Sequence, residues 1–228
     1  MEKRTSLNEI QKQLKSEVKR QELISHPFLK KMKDGLLNKE DTSLVLGQWY
    51  YPLENFPFFL SSCISHTRNI PIQTFISDIL HEELGCGDPK NSHLDLYIST
   101  CKDSGFDEEI VTKSKALDST NRLISGYKKS AKKMSSGLGY LYATEVADLA
   151  MVSSIGNAIG NICEKSILDL PWVDIHVQQE PNHVNNVDNA LEISFDEKTY
   201  NELLMSSKEM WSLWIDFFSE IELEISKK

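Results

Sequence analysis

Near the C-terminus, Tyr200, Leu203, Leu204, Ser207, Met210, Trp211, Trp214, Phe217, Phe218 and Ile221 recur at steps of three and four residues. Such spacing lays one largely apolar stripe along a helix, whereas a strand would expose alternate residues to opposite faces. Lys208, Glu209, Asp216 and Glu220 fill the other side. A stripe this long must be buried against other helices, so Trp211 and Trp214 read as core.

The same period recurs upstream, and strand-like alternation is almost absent. Helices are expected over about 5–23, 26–34, 40–66, 71–84, 90–103, 107–131 and 135–165, ahead of the C-terminal one. His26-Pro27 and Pro71 suit helix starts, and Asp88 before Pro89 suits an N-cap. Pro52 and Pro57 are expected to kink or interrupt the third helix. No low-complexity linker or internal repeat divides the chain. The expectation is an all-α, single-domain bundle of seven to nine helices spanning residues 1–228.

A net charge of -9 argues against a nucleic-acid partner, which would call for a basic stripe. The one lysine cluster, Lys128, Lys129, Lys132 and Lys133, reads as a solvated helix face. Cys63, Cys86, Cys101 and Cys163 form no CxxC pair and read as reduced structural thiols. The N-terminus lacks the apolar core of a signal peptide, and no run is expected to be apolar enough to span a bilayer. These features point to a soluble, cytoplasmic protein with no membrane association.

Three segments carry chemistry. The first is His176-x3-Glu180-x2-His183. At 100° per helical residue, these positions fall within roughly 60° of one another. Two imidazoles and a carboxylate on one face suit Fe(II) with open coordination positions. Pro181 inside the triad implies either a kink or a helix beginning near Glu180. The second segment, Glu82-Glu83-Leu84-Gly85-Cys86-Gly87-Asp88-Pro89 followed by His93, brings acids and a histidine together around a glycine turn. It reads equally as a solvated helix end. The third places Glu145 among Leu141, Val146 and Leu149 on a long helix. There it is either an exposed flank residue or a buried carboxylate that needs a partner or a metal.

Together these segments resemble the haem-oxygenase-like di-iron oxidase and oxygenase superfamily. Within it they most resemble the iron-containing redox enzymes, near the TenA and PqqC-like proteins. Gln48-Trp49-Tyr50-Tyr51-Pro52-Leu53 with Phe56-Pro57 adds to the signature, and the resemblance runs from His26-Pro27-Phe28 to the last helix. It implies six metal ligands: Glu83, His93, Glu145, His176, Glu180 and His183, with Glu82 as the alternative to Glu83. Glu180 stands where aspartate is commoner. Some N-oxygenating relatives carry an extra carboxylate near the position of Pro57; Glu54, one turn earlier, is the nearest candidate here.

The resemblance further implies two iron ions, O2 as co-substrate and an oxidation of a small amino-acid-like or fatty-acid-like metabolite. Without the extra carboxylate, desaturation, oxidative C–C cleavage or rearrangement is favoured over N-oxygenation. Trp49, Tyr50, Glu54, Phe56, Phe59 and Tyr142 are candidate pocket residues, the aromatic ones reading also as core. A homodimer, with the segment before residue 26 packing on a second subunit, and an external electron donor are expected. A metal-independent TenA- or PqqC-like enzyme, or a binding protein on the same scaffold, is the alternative.

Overall fold

The computed structural model describes residues 12–191 and 195–227. Among these residues there is no strand, and ten α-helices follow one another. They are α1 Val18–Ile24, α2 Pro27–Lys33, α3 Lys39–Ser65, α4 Ile70–Glu83 and α5 His93–Asp103. After them come α6 Glu108–Lys113, α7 Asp118–Ser130, α8 Met134–Cys163, α9 Pro171–Leu191 and α10 Glu197–Ser226. The start of the expected first helix, residues 5–11, lies outside the described residues.

Ten exceeds the expected seven to nine, partly because the predicted helix over 107–131 is two helices. Gln48 of α3 explains the break. Its amide donates to the Lys115 carbonyl (3.0 Å) and accepts from the Leu117 N–H (2.9 Å) and the Thr120 hydroxyl (2.8 Å). These tertiary bonds take over backbone groups that a continuous helix would use itself. A second shift concerns Asp88, which caps only the short 3-10 turn Pro89–Asn91, while Ser92 caps α5.

Neither Pro52 and Pro57 in α3 nor Pro181 in α9 ends its helix. An interior proline costs a helix roughly 3 kcal/mol, but tertiary packing supplies most helical stability. Both helices bury a full face, α3 through Trp49, Leu53, Phe56 and Phe59. Pro181 and Val177, whose carbonyl the proline leaves unbonded, lie on the exposed side of α9, where water can serve that group.

The central element is α8, packed against α2, α3, α9 and α10. By length and a mean hydropathy of 1.3 it is long and apolar enough to cross a membrane, contrary to expectation; here it is the core helix. Trp211 and Trp214 are buried, as the stripe required, and Trp211 donates its indole N–H to the Ala143 carbonyl at 2.8 Å. Lys128, Lys129, Lys132 and Lys133 are exposed, and the four cysteines are free.

The crossing of α8 and α10 is tightest at Gly139, where a Cβ would lie 2.4 Å from the Leu203 carbonyl oxygen. Gly139→Ala gains about 1 kcal/mol of helix propensity but must spread two backbones apart. Overpacking of this kind costs about 1–3 kcal/mol. Chemical denaturation should therefore show a net loss of stability; a stabilised variant would contradict the close approach.

Candidate metal centre

Glu83 is the last residue of α4 and His93 the first of α5. The chain reverses between them through Gly85, Cys86 and Gly87, all with positive φ (84°, 53° and 94°). Gly85 has no alternative, since a Cβ would sit 2.2 Å from the Asp88 carbonyl oxygen. The reversal sets Glu83 Oε2 3.0 Å from His93 Nδ1. Glu145 comes from the middle of α8, and α9 presents His176, Glu180 and His183 to the interior.

All six sequence-predicted residues are buried and converge. The His93 and His176 rings lie 4.4 Å apart, and the His93 and His183 rings 6.1 Å. Glu145 Oε2 is 3.3 Å from His183 Nδ1. Glu145, Glu180 and His183 each place a donor atom within 4.8 Å of the other two. Glu82 and Glu83 are placed differently. Glu83 opens into the cluster, whereas Glu82 stands behind His183, 3.0 Å from Nε2, and accepts from the Asn182 amide at 2.7 Å.

Each imidazole is backed on its outer nitrogen. His176 Nδ1 donates to the Trp172 carbonyl (2.7 Å), His93 Nε2 to Gln179 Oε1 (2.8 Å), and His183 Nε2 faces Glu82. The inner nitrogens are left with lone pairs directed at the cluster, the arrangement a metal requires. Sequence reasoning missed Gln179 and Asp148, although their spacing gave a signal. Each follows a predicted site residue by three positions, and so shares its helix face.

Beside the cluster is a small cavity of about 30 Å³. Trp49, Leu53, Phe56 and Trp214 form its apolar wall, and Glu83, Glu145, Asp148, His176 and His183 its polar side. Of the predicted pocket residues, Trp49 and Phe56 line it and the other four do not. Tyr50 donates to Glu54 at 2.9 Å on the outer side of α3. Phe59 stacks on Tyr127 at 4.9 Å. Tyr142 is buried, with Asp188 and Arg20 as its charged neighbours. Residues one helical turn apart share a face only approximately, and neighbours on α7 and α9 occupy the space between.

Residues 43–210 match the family described as iron-containing redox enzymes. The chain belongs to that family. It is 28% identical over 170 residues to 4-chloro-allylglycine synthase of Streptantibioticus cattleyicolor, covering 74% of this chain and 65% of that protein. The chain thus spans just under two thirds of that relative's length. It is 19% identical to 4-aminobenzoate synthase of Chlamydia pneumoniae over 215 residues, covering 92% and 95% of the two chains. A domain of Shewanella denitrificans with a heme oxygenase-like fold superposes with a TM-score of 0.78 at 18% identity, covering 97% and 94%. The fold of this iron-containing redox enzyme is therefore heme oxygenase-like.

The donor set fits iron on its own terms. Both Glu180 carboxylate oxygens, Glu145 Oε1, Asp148 Oδ2 and His93 Nδ1 are buried without a hydrogen-bond partner among the described residues. Buried polar atoms are rarely left so. Mixed imidazole and carboxylate donors are what Fe(II) takes.

Electrostatics in the metal-free enzyme show the strain of this packing. Burial, then Glu145 and Glu83, raise Asp148 to about 8. Burial and the neighbouring acids raise Glu180 well above the usual carboxylate range. Burial would raise Glu83 too, but His93, His183 and His176 hold it at about 2. Burial would lower His183, but Glu145, Glu83 and Glu82 together raise it to about 9, and His176 falls to about 3 through burial and His93.

A raised acid is favoured in the fold while protonated, and a raised histidine while charged, so both lose stability as pH climbs through their folded values. Glu83 and His176 contribute equally at every pH above about 6.5, the ordinary histidine value. The metal-free enzyme should therefore show a falling Tm from about pH 6.5 to 9, followed by thermal scans in chelator. Anaerobic Fe(II) should flatten the profile. A Tm that rises over this range without metal would contradict the charge arrangement.

Proposed function

We propose that this enzyme is an O2-dependent di-iron oxidase acting on a small amino-acid-like metabolite at carbon. The convergence of three carboxylates and three imidazoles, with Glu145 Oε1, both Glu180 oxygens and His93 Nδ1 unpartnered, carries the reading. Glu83, His93, Glu145, His176, Glu180 and His183 would hold two irons. Bound iron supplies open coordination positions and the electrons that activate O2.

The chain's own part is to hold donors, exclude water and place the substrate. Gln179 and the Trp172 carbonyl fix His93 and His176 by their outer nitrogens, and Glu82 faces the outer nitrogen of His183. Trp49, Leu53, Phe56 and Trp214 offer hydrocarbon surface against the polar side. Neither lysine nor arginine lines this cavity. Hydrocarbon surface beside the donors supports attack at carbon, by desaturation or C–C cleavage.

Glu54, held by Tyr50 on the outer side of α3, offers no extra carboxylate from that helix, which also weighs against N-oxygenation. The two named relatives make products that each carry an amine, a carboxylate and an unsaturated carbon framework. A cytoplasmic homodimer served by an external electron donor completes the proposal.

Anaerobic Fe(II) addition followed by O2 should give a transient visible absorption band, and O2 uptake should accelerate with one of a panel of aliphatic and aromatic amino acids. Glu145→Ala and His176→Ala should abolish the band and reduce turnover at least about 100-fold (ΔΔG‡ of about 2.7 kcal/mol). Failure of the wild type to take up iron would sink the proposal.

A further inference from the structure

The six-residue set leaves one histidine without a carboxylate partner. Glu83 faces His93 at 3.0 Å and Glu145 faces His183 at 3.3 Å, each acid paired with an imidazole from another helix. The inner nitrogen of His176, Nε2, faces Asp148 Oδ2 at 3.9 Å. His176 Nδ1 is committed to the Trp172 carbonyl, so Nε2 alone is free to bind an ion. Resting on the di-iron reading, we propose that Asp148 is a seventh donor to the centre, sharing an ion with His176.

Two donor atoms on one ion, with bonds near 2.0–2.2 Å, lie at most about 4.4 Å apart. All three carboxylate–imidazole separations fall inside that bound. The Asp148 side chain is only 14% exposed, lines the same cavity, keeps Oδ2 buried, and has its carboxyl within hydrogen-bonding reach of Glu180. No lysine or arginine lines the cavity to hold this carboxylate. Two cations, Lys15 and Arg20, line a separate groove together with Glu145 and Glu180. There Lys15 faces Asp188 (3.5 Å), and Arg20 donates to the Val146 carbonyl (3.0 Å).

Charge supports the same assignment. Glu83, Glu145 and Glu180 leave two divalent ions with one uncompensated positive charge, and Asp148 removes it. Neutrality matters in a water-poor site, where a net charge is costly. Backbone spacing helps as well. Asp148 follows Glu145 by three residues on α8, so one rigid helix face delivers both acids.

The test is iron binding. Protein loaded anaerobically with Fe(II) and desalted is assayed for iron by mass spectrometry, alongside Asp148→Asn, Asp148→Ala and His176→Ala. Asn keeps the volume of the side chain and removes its charge, so the bundle is preserved even if Ala disturbs it. The wild type should retain two irons per chain. Asp148→Asn should retain about one, its weaker site losing at least about tenfold in affinity, as even outer-shell changes do. The Mössbauer signal of its remaining iron should match that of His176→Ala, while Asp148→Glu should recover part of the second iron.

Two irons at wild-type affinity in Asp148→Asn, with an iron lost in His176→Ala, would overturn the role of Asp148 and leave the di-iron reading standing. No iron in the wild type would overturn both.

Discussion

Four carboxylates and three imidazoles packed into the interior of an apolar bundle carry more acid than the imidazoles balance. Burial raises Asp148, Glu145 and Glu180, Glu83 raises all three further, and Glu145 adds to Asp148 and Glu180. A bundle of this size could fill that space with leucines and be more stable, since buried ionic groups seldom stabilise a fold. Keeping the acids makes sense when divalent cations supply the missing charge. The arrangement of the surrounding helices follows from that requirement. The acids must be held together against repulsion by backbone that cannot relax.

Two devices do the holding. The first is α8, gripped along its length by α9 and α10 and pinned where Gly139 lets two backbones touch. A helix so confined cannot swing Glu145 and Asp148 outward. The second is the left-handed turn between α4 and α5, which costs conformational strain at Cys86, the one residue there with a side chain at positive φ. That strain sets Glu83 against His93 across ten residues of sequence. Hydrogen bonds on the outer nitrogens of His93 and His176 then remove the rotational freedom of those rings, so the inner donors are organised before an ion arrives.

Much of this was legible in the sequence. The three- and four-residue period of the last helix demanded a helical bundle, and the i, i+4, i+7 spacing of His176, Glu180 and His183 demanded a shared face. Pro181 obscured the second point, because local rules cannot see that α9 turns that residue to the exposed side. The pairing of Glu83 with His93 lay within reach of the glycines. Joining both to Glu145, more than fifty residues away, required the family resemblance, since no local pattern encodes which helix packs on which. The split between α6 and α7 was invisible for the same reason: the Gln48 amide that causes it comes from another helix. The pocket residues fared worst. Aromatic residues near a motif are as often core as wall, and Tyr50, Phe59 and Tyr142 lie outside the cavity lining.

Asp148 shows how far spacing can be taken. A residue three positions after a buried acid is itself expected to be buried, so an aspartate there already asks what it faces. The answer lies on α9, in a histidine whose other nitrogen is tied to its own backbone. Neither half of that pair is informative alone: the aspartate could be an isolated acid with a raised pKa, and the histidine a satisfied core residue. Set 3.9 Å apart, with no proton donor aligned between them and no cationic side chain lining the cavity they share, they describe a gap of the size an ion occupies. The same two residues also close the polar side of the cavity opposite its apolar wall. An ion held between them would therefore lie facing the hydrocarbon of whatever the cavity admits, which ties the site of metal binding to the site of oxidation.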